Sequence, residues 1–184
     1  MGWNNTTDRY GALSICMHWL MLALLIGVYT CIELHGLAAK GSDLRADLKT
    51  WHIMLGLSVF ALVWLRLAIR FVTPSPQMSP QVAAWQQHLA RLMHGVLYAF
   101  LIIMPVLGWL TLSAGGKVIP FFGLELPALV APDKPLASAV KEIHETIGTL
   151  GYYLIGLHAA AALYHHYFVL DDTLLRMLPE RSKT

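Results

Sequence analysis

Charge is what this 184-residue chain has little of. Asp, Glu, Lys and Arg together make up 13% of it, against about a quarter in a soluble globular domain. Hydrophobic residues make up 57%, too many for a disordered chain. No block of like charge occurs and the formal net charge is only +2, so the footprint of a nucleic-acid-binding protein is missing. Cysteine is scarce as well. Cys16 and Cys31 fall in one apolar stretch, about 22 Å apart along a helix, which is far beyond disulfide reach. They read as packing thiols. No CxxC or CxxCH occurs, which excludes a zinc site of that kind and a covalently attached c-type haem. Lipid is the solvent this composition calls for.

Four apolar spans are long enough to cross a bilayer, at about residues 15–34, 51–71, 92–114 and 143–170. The first follows Arg9 but lacks an A-x-A cleavage pattern and reads as a retained signal-anchor helix. The third contains Pro105, which neighbouring helices tolerate in a membrane. The fourth is uncharged from Thr146 onward and long enough to tilt or protrude. Polar or Pro-rich connections separate them. The second connection holds Thr73-Pro-Ser-Pro76 and Pro80. The third, residues 115–137, mixes four prolines with Phe121, Phe122, Leu124 and Leu126 and is expected to form a structured cap at the interface. The fold class is therefore all-α integral membrane, an up-down bundle of four transmembrane helices forming one domain over 1–184. With the N-terminus inside, the inner ends carry Arg9, Arg66, Arg70, Arg91, Arg176, Arg181 and Lys183. The outer loops carry Lys40, Arg45, Lys49, Lys117, Lys134 and Lys141. This small excess places both termini in the cytoplasm.

An ionisable group at membrane depth is a candidate functional site, and several of the nine histidines lie in or beside these spans. A lone neutral histidine usually just donates to a carbonyl across a helix interface. Four of them form a pattern. His144 and His158 are separated by about 1400° of helical rotation, roughly 40° short of four full turns, so they share a face about 21 Å apart along the axis. The second and fourth spans run parallel, so His52 and His144, each near the start of its span, lie at one level. His158, deeper in the fourth span, approaches the level of His18 near the start of the first. Two cross-helix pairs result, His52–His144 and His18–His158, and alternation of direction alone requires them.

Two imidazoles facing each other across a bundle suit haem iron with both axial positions filled. The expectation is two b-type haems enclosed by the bundle, with His18, His52, His144 and His158 as axial ligands. Gly56, Gly148, Gly151, Gly156 and Ala159–Ala162 would leave room for a flat macrocycle, although small residues also serve close helix packing. Zinc favours a compact cluster of ligands and fits pairs this far apart poorly.

The motifs around these histidines are Met17-His18-Trp19, Trp51-His52-Ile53, Lys141-Glu-Ile-His144-Glu145 and Gly156-Leu-His158-Ala159. With them go Arg66 and Arg70, Thr73-Pro-Ser-Pro76 and the tail Asp172-Thr-Leu-Leu-Arg-Met-Leu-Pro179. Together they resemble the bacterial cytochrome b561 family over nearly the whole chain. The resemblance is to its four-helix di-haem members with superoxide oxidase (superoxide:ubiquinone oxidoreductase) activity. It implies a multi-pass protein of the bacterial inner membrane, N-terminus inside. Superoxide would be oxidised to dioxygen at the periplasmic face and the electrons passed through two haems to ubiquinone. Superoxide, ubiquinone and the bilayer are then the partners, and no obligate protein partner is inferred. The alternative is a haem b electron-transfer subunit relaying electrons between quinol and a partner redox protein. A third reading is a structural or sensory membrane protein whose histidines only pack.

Other residues have two readings each. His94 starts the third span on the side of His18 and is the main challenger for ligation; a hydrogen bond to a propionate or a neighbouring helix suits it better. His165 lies two turns beyond His158 on the same face and could bind or protonate a quinone. His35 and His88 read as solvated loop residues, and His166 as pointing away from the bundle. Arg66 and Arg70, four apart on one face, could pair with haem propionates or snorkel to the interface. Lys117, Lys134 and Lys141 could gather on the outer face and steer a small anion, Lys141 lying one turn before His144. Glu142 and Glu145 could orient that ligand from behind.

Overall fold

A computed structural model describes residues 2–6, 9–74, 76 and 83–178. Arg181 and Lys183 of the inner charge count, Pro80, Ser75 of the Thr-Pro-Ser-Pro motif and Pro179 of the tail motif lie outside the described residues. Four long helices carry the chain back and forth: α1 Ala12–Leu37, α2 Asp43–Val72, α3 Ala84–Ala114 and α4 Lys134–Tyr164. All four are long and apolar enough to cross a membrane. Each extends beyond the span expected from hydropathy, because polar turns continue the helix out of the bilayer. The fourth expected span is the exception at its far end. There the α-helix stops at Tyr164 and a π-helical turn, His165–Val169, leads to Leu170 in the left-handed region at φ 59°.

Helix ends follow local chemistry. Ser42 Oγ accepts from Arg45 N at the start of α2, and Asp133 Oδ1 accepts from Leu136 N at the start of α4, each satisfying a first-turn donor. Arg45 Nη1 donates to the His35 and Ala38 carbonyls and closes the end of α1. Thr73 ends α2 because Pro74 disfavours a helical residue before it. Asn5 bonds both Gly11 N and Thr73 Oγ1, tying the entry of α1 to the exit of α2. His35 and His88, expected in loops, sit on α1 and α3; His35 is half-buried and His88 exposed.

The 115–137 connection is a structured cap, and it contains a β-hairpin: β1 Ile119–Phe121 pairs antiparallel with β2 Leu124–Leu126. Its turn puts Phe122 and Gly123 at φ 47° and 86°, the mirror-image turn that matches the twist of a hairpin. Ile119 packs with Leu57 and Leu112 into one core cluster, so the cap is fastened to α2 and α3. A second cluster, Met21, Val59 and Val63, joins α1 to α2. Helix α4 contributes no buried residue to either cluster. It packs on α3 and reaches α1 through side chains: Tyr29 Oη donates to the Gly148 carbonyl at 2.8 Å, Tyr152 Oη donates to Glu33 Oε1 at 2.6 Å, and the two rings lie 4.2 Å apart.

Gly151 makes that seam possible, since a Cβ there would overlap the Tyr29 hydroxyl and the Phe100 ring. It thus serves the close packing of α4 on α1 and α3. Gly151→Ala is expected to destabilise the bundle by about 1–3 kcal/mol, read as an earlier thermal unfolding transition in detergent. An unchanged transition would show that the seam yields without cost.

Candidate functional site

Because α4 stands off from α2 and α1, two pairs of imidazoles face each other across the gap. His52 on α2 and His144 on α4 have ring centroids 6.2 Å apart at 78° between planes. His18 on α1 and His158 on α4 stand 6.3 Å apart at 69°. Metal–imidazole bonds are about 2 Å, so two rings on opposite sides of one iron sit about 6 Å apart centroid to centroid. Both pairs have that spacing, one near the hairpin end of the bundle and one near the end that holds the termini. Among the described residues no group of three or more His, Cys, Asp and Glu is arranged to hold a metal ion; the arrangement is one of pairs.

The tautomers follow from the partners. Val28 O lies 3.0 Å from His52 Nδ1. A carbonyl only accepts, so Nδ1 carries the proton and Nε2 keeps its lone pair. His144 Nδ1 is buried near the Met104 carbonyl without the geometry of a hydrogen bond. Neither Glu142 nor Glu145 bonds this ring; Glu145 instead pairs with Lys141 at 2.7 Å. A Cβ on Gly108 would come within 3.3 Å of His144 Cε1, so the glycine gives that ring its place.

Between His52 and His144 lies a mostly apolar cavity of about 500 Å³, well within the size range of cofactor sites. Gly56, Gly108 and Gly148 are on its wall, and at Gly56 an added Cβ would meet nothing within 4 Å. Such bare backbone beside facing imidazoles suits a flat macrocycle. Three lysines line the same cavity: Lys49, Lys117 and Lys141, with Lys49 against Lys117 and within the field of Lys141 and Arg45. Lys134, expected among them, sits at the first turn of α4, outside the lining. Lys49 was not anticipated, yet a signal existed. It precedes His52 by three residues as Lys141 precedes His144, and an i, i+3 spacing places both on the face of their histidine.

At the other pair, Arg66 is the organising charge. Its Nη2 lies 3.1 Å from His18 Nδ1 and its Nε donates to Tyr98 Oη at 3.3 Å. Arg70 stacks on the Tyr98 ring, 5.8 Å from its centroid. His94 on α3 stands 5.5 Å from His158, closer than either facing pair. Three imidazoles therefore meet at this end.

Beyond them His165 opens the π-helical turn, and its Nδ1 lies 2.5 Å from Asp171 Oδ2. Asp171 is only 3% exposed and also accepts from Thr173 N on its other oxygen. Burial pushes its carboxyl up, but the hydrogen bonds from His165 and Thr173 outweigh this and hold it below the ordinary carboxylate value.

A sequence profile of the prokaryotic cytochrome b561 family matches residues 9–180. The cytochrome b561 homolog 1 of Escherichia coli (strain K12) is 37% identical over 175 residues, covering 95% of this chain and 99% of that protein. The probable superoxide oxidase CybB of Yersinia pestis is 35% identical over 173 residues, covering 94% and 97%. Cytochrome b562 of Cereibacter sphaeroides is 25% identical over 176 residues, covering 94% and 96%.

With its folded-state value depressed, Asp171 contributes stability that is fully present above the ordinary carboxyl value of 3.8 and is lost as pH falls through the folded value. Asp171→Asn is expected to cost about 1–3 kcal/mol at neutral pH, the penalty of breaking buried hydrogen bonds. The difference should shrink as pH falls through the depressed folded-state value, below which the native carboxyl is also protonated. Thermal unfolding followed from neutral into acid pH checks it, and a difference that does not change with pH would contradict the assignment.

Proposed function

The chain belongs to the prokaryotic cytochrome b561 family, multi-pass inner-membrane proteins that carry electrons on b-type haem, and from that membership we propose that it is a di-haem superoxide:ubiquinone oxidoreductase. It oxidises superoxide to dioxygen on the hairpin side, taken as periplasmic with both termini in the cytoplasm, and delivers the electrons to ubiquinone. The observation that carries this reading is the pair of imidazole couples at equal spacing and different depth. Two sites in series can move an electron across the bilayer, whereas one could not. Haem, when bound, would supply reversible one-electron exchange, and the facing histidines of each couple would hold it.

The protein's own residues do the rest. His52 and His144 would hold the outer group, with the Val28 carbonyl fixing the tautomer of His52. His18 and His158 would hold the inner one. Ligation through Nε2 requires the His18 proton on Nδ1, where Arg66 can no longer donate. The guanidinium then needs another acceptor, and haem propionates, with Arg70 one turn away, match its forked donors. His94 stands 5.5 Å from His158, nearer than the rings of either facing couple, and serves as a neighbour of the ligand. Lys49, Lys117 and Lys141 line the mouth of the outer cavity. Their clustered positive field draws in a small anion and raises its encounter rate. The name of the Yersinia pestis relative points to the same substrate. His165 meets the quinone.

His52→Ala or His144→Ala should halve the haem content, from two per chain to one, as should His18→Ala or His158→Ala, while His94→Leu keeps both. Haem quantification and reduced-minus-oxidised spectra read the result, and loss of haem in His94→Leu alone would undo the pairing. Superoxide generated beside the purified, haem-loaded protein should reduce it. Haem that stays oxidised under superoxide yet is reduced by quinol would assign the chain to an electron relay instead.

A further inference from the structure

The two histidine couples are alike in spacing but not in the charge around them. Among the described residues, the permanent charge acting on His18 and His158 is a guanidinium. Arg66, half-buried on α2, holds Nη2 3.1 Å from His18 Nδ1, and its charge bears on His158 and His94 as well. Its Nε donates to Tyr98 Oη, and Arg70 lies over the same ring, so Tyr98 positions both side chains. Among the described residues no carboxylate pairs with Arg66 or Arg70. Those of the tail are engaged elsewhere, Asp171 with His165 and Asp172 with Arg176. The His52–His144 couple is set differently. Lys49 acts on His52, and Glu145 acts with the opposite sign on His144. Lys141 closes an ion pair with Glu145 at 2.7 Å, and all three side chains are exposed. Charges of both signs facing water offset one another and are screened. A half-buried guanidinium with no counter-charge is screened far less.

We infer that Arg66 fixes the direction of electron flow through the bundle, its charge making the site at His18–His158 hold an electron more tightly than the site at His52–His144. This rests on the reading of the chain as a carrier of two haems. Taking up an electron lowers the charge of such a site by one, so a fixed cation beside one of its ligands favours the reduced state. Paired with a propionate, the guanidinium acts in the same sense, by offsetting a negative charge that would resist the electron. Each transfer moves one electron from the hairpin-side site, which is oxidised, to the termini-side site, which is reduced. No bond forms or breaks and no proton is required. Arg70 adds to the same field less directly, since its charge bears on His94, one ring removed from the couple. Tyr98 is the positioning residue for both.

The test is a spectroelectrochemical titration of the full-length, haem-loaded protein, which involves neither superoxide nor quinone. His52→Ala leaves the termini-side haem alone and His18→Ala the hairpin-side one, so each midpoint potential is assigned. The unsubstituted protein should have its higher potential on the termini side. Arg66→Gln should weaken the equilibrium for transfer between the sites by at least about tenfold, read as a fall of about 59 mV in the termini-side potential. The hairpin-side potential should stay where it is, and Arg66→Lys should recover most of the loss. Lys49→Gln should shift the hairpin-side potential by less than Arg66→Gln shifts the other. A termini-side potential that is the lower of the two, that does not move in Arg66→Gln, or that falls as far in Arg66→Lys overturns the inference. If Arg66→Gln retains no haem at that site, Arg66→Lys and Arg70→Gln decide. A near-native potential in the first and a fall in the second support the assignment, and a fall in the first or none in the second overturns it. An unsubstituted protein that binds fewer than two haems removes the di-haem reading itself, whereas two haems with an unresponsive termini-side potential remove this inference alone.

Discussion

Everything in this bundle is arranged around imidazoles that must face one another inside lipid. A histidine at membrane depth needs a partner for each ring nitrogen. Four of them, drawn from α1, α2 and α4, face one another in couples about 6 Å across. Three helices cannot converge on such couples and also pack tightly against one another at the same heights. Helix α4 therefore stands off from the α1–α2 core, and the distance is bridged by Tyr29, Tyr152 and Glu33. Part of the gap that results is the cavity of about 500 Å³ between His52 and His144, with Gly56, Gly108 and Gly148 on its wall.

The two ends of the bundle use the same couple in different electrostatic settings. Near the hairpin, His52 leans on a neutral backbone carbonyl and the charges are exposed lysines lining the cavity. Near the termini, Arg66 stands directly beside His18, Arg70 beside Tyr98, and a buried carboxylate holds His165. The two ends of the bundle thus differ in charge, with lysines about one histidine couple and guanidinium groups beside the other.

Much of this was legible before any coordinates. The four spans follow from hydropathy, the two couples from chain direction and a fourteen-residue spacing on α4, and the cap from prolines mixed with aromatics in 115–137. Other features were not. The hairpin has two strands of three residues each, too short to show an alternating pattern. Lys49 was readable only by noticing that Lys49–His52 repeats the spacing of Lys141–His144. Lys134 was grouped with the other lysines from sequence proximity alone, and the helix turned it away from the cavity.

The amino-acid sequence by itself determined the solvent, the number of crossings and the level of each histidine, because these depend on composition, length and periodicity along one chain. Only the tertiary structure decided how far apart facing rings stand, which nitrogen of His52 is left free, and which charge lies against which histidine. Those depend on the separation of helices distant in sequence and on backbone departures such as the π-helical turn at His165. Gly151, read from sequence as room for a cofactor or for close packing, admits a tyrosine because a side chain from α1, 122 positions earlier at Tyr29, arrives there in the folded bundle.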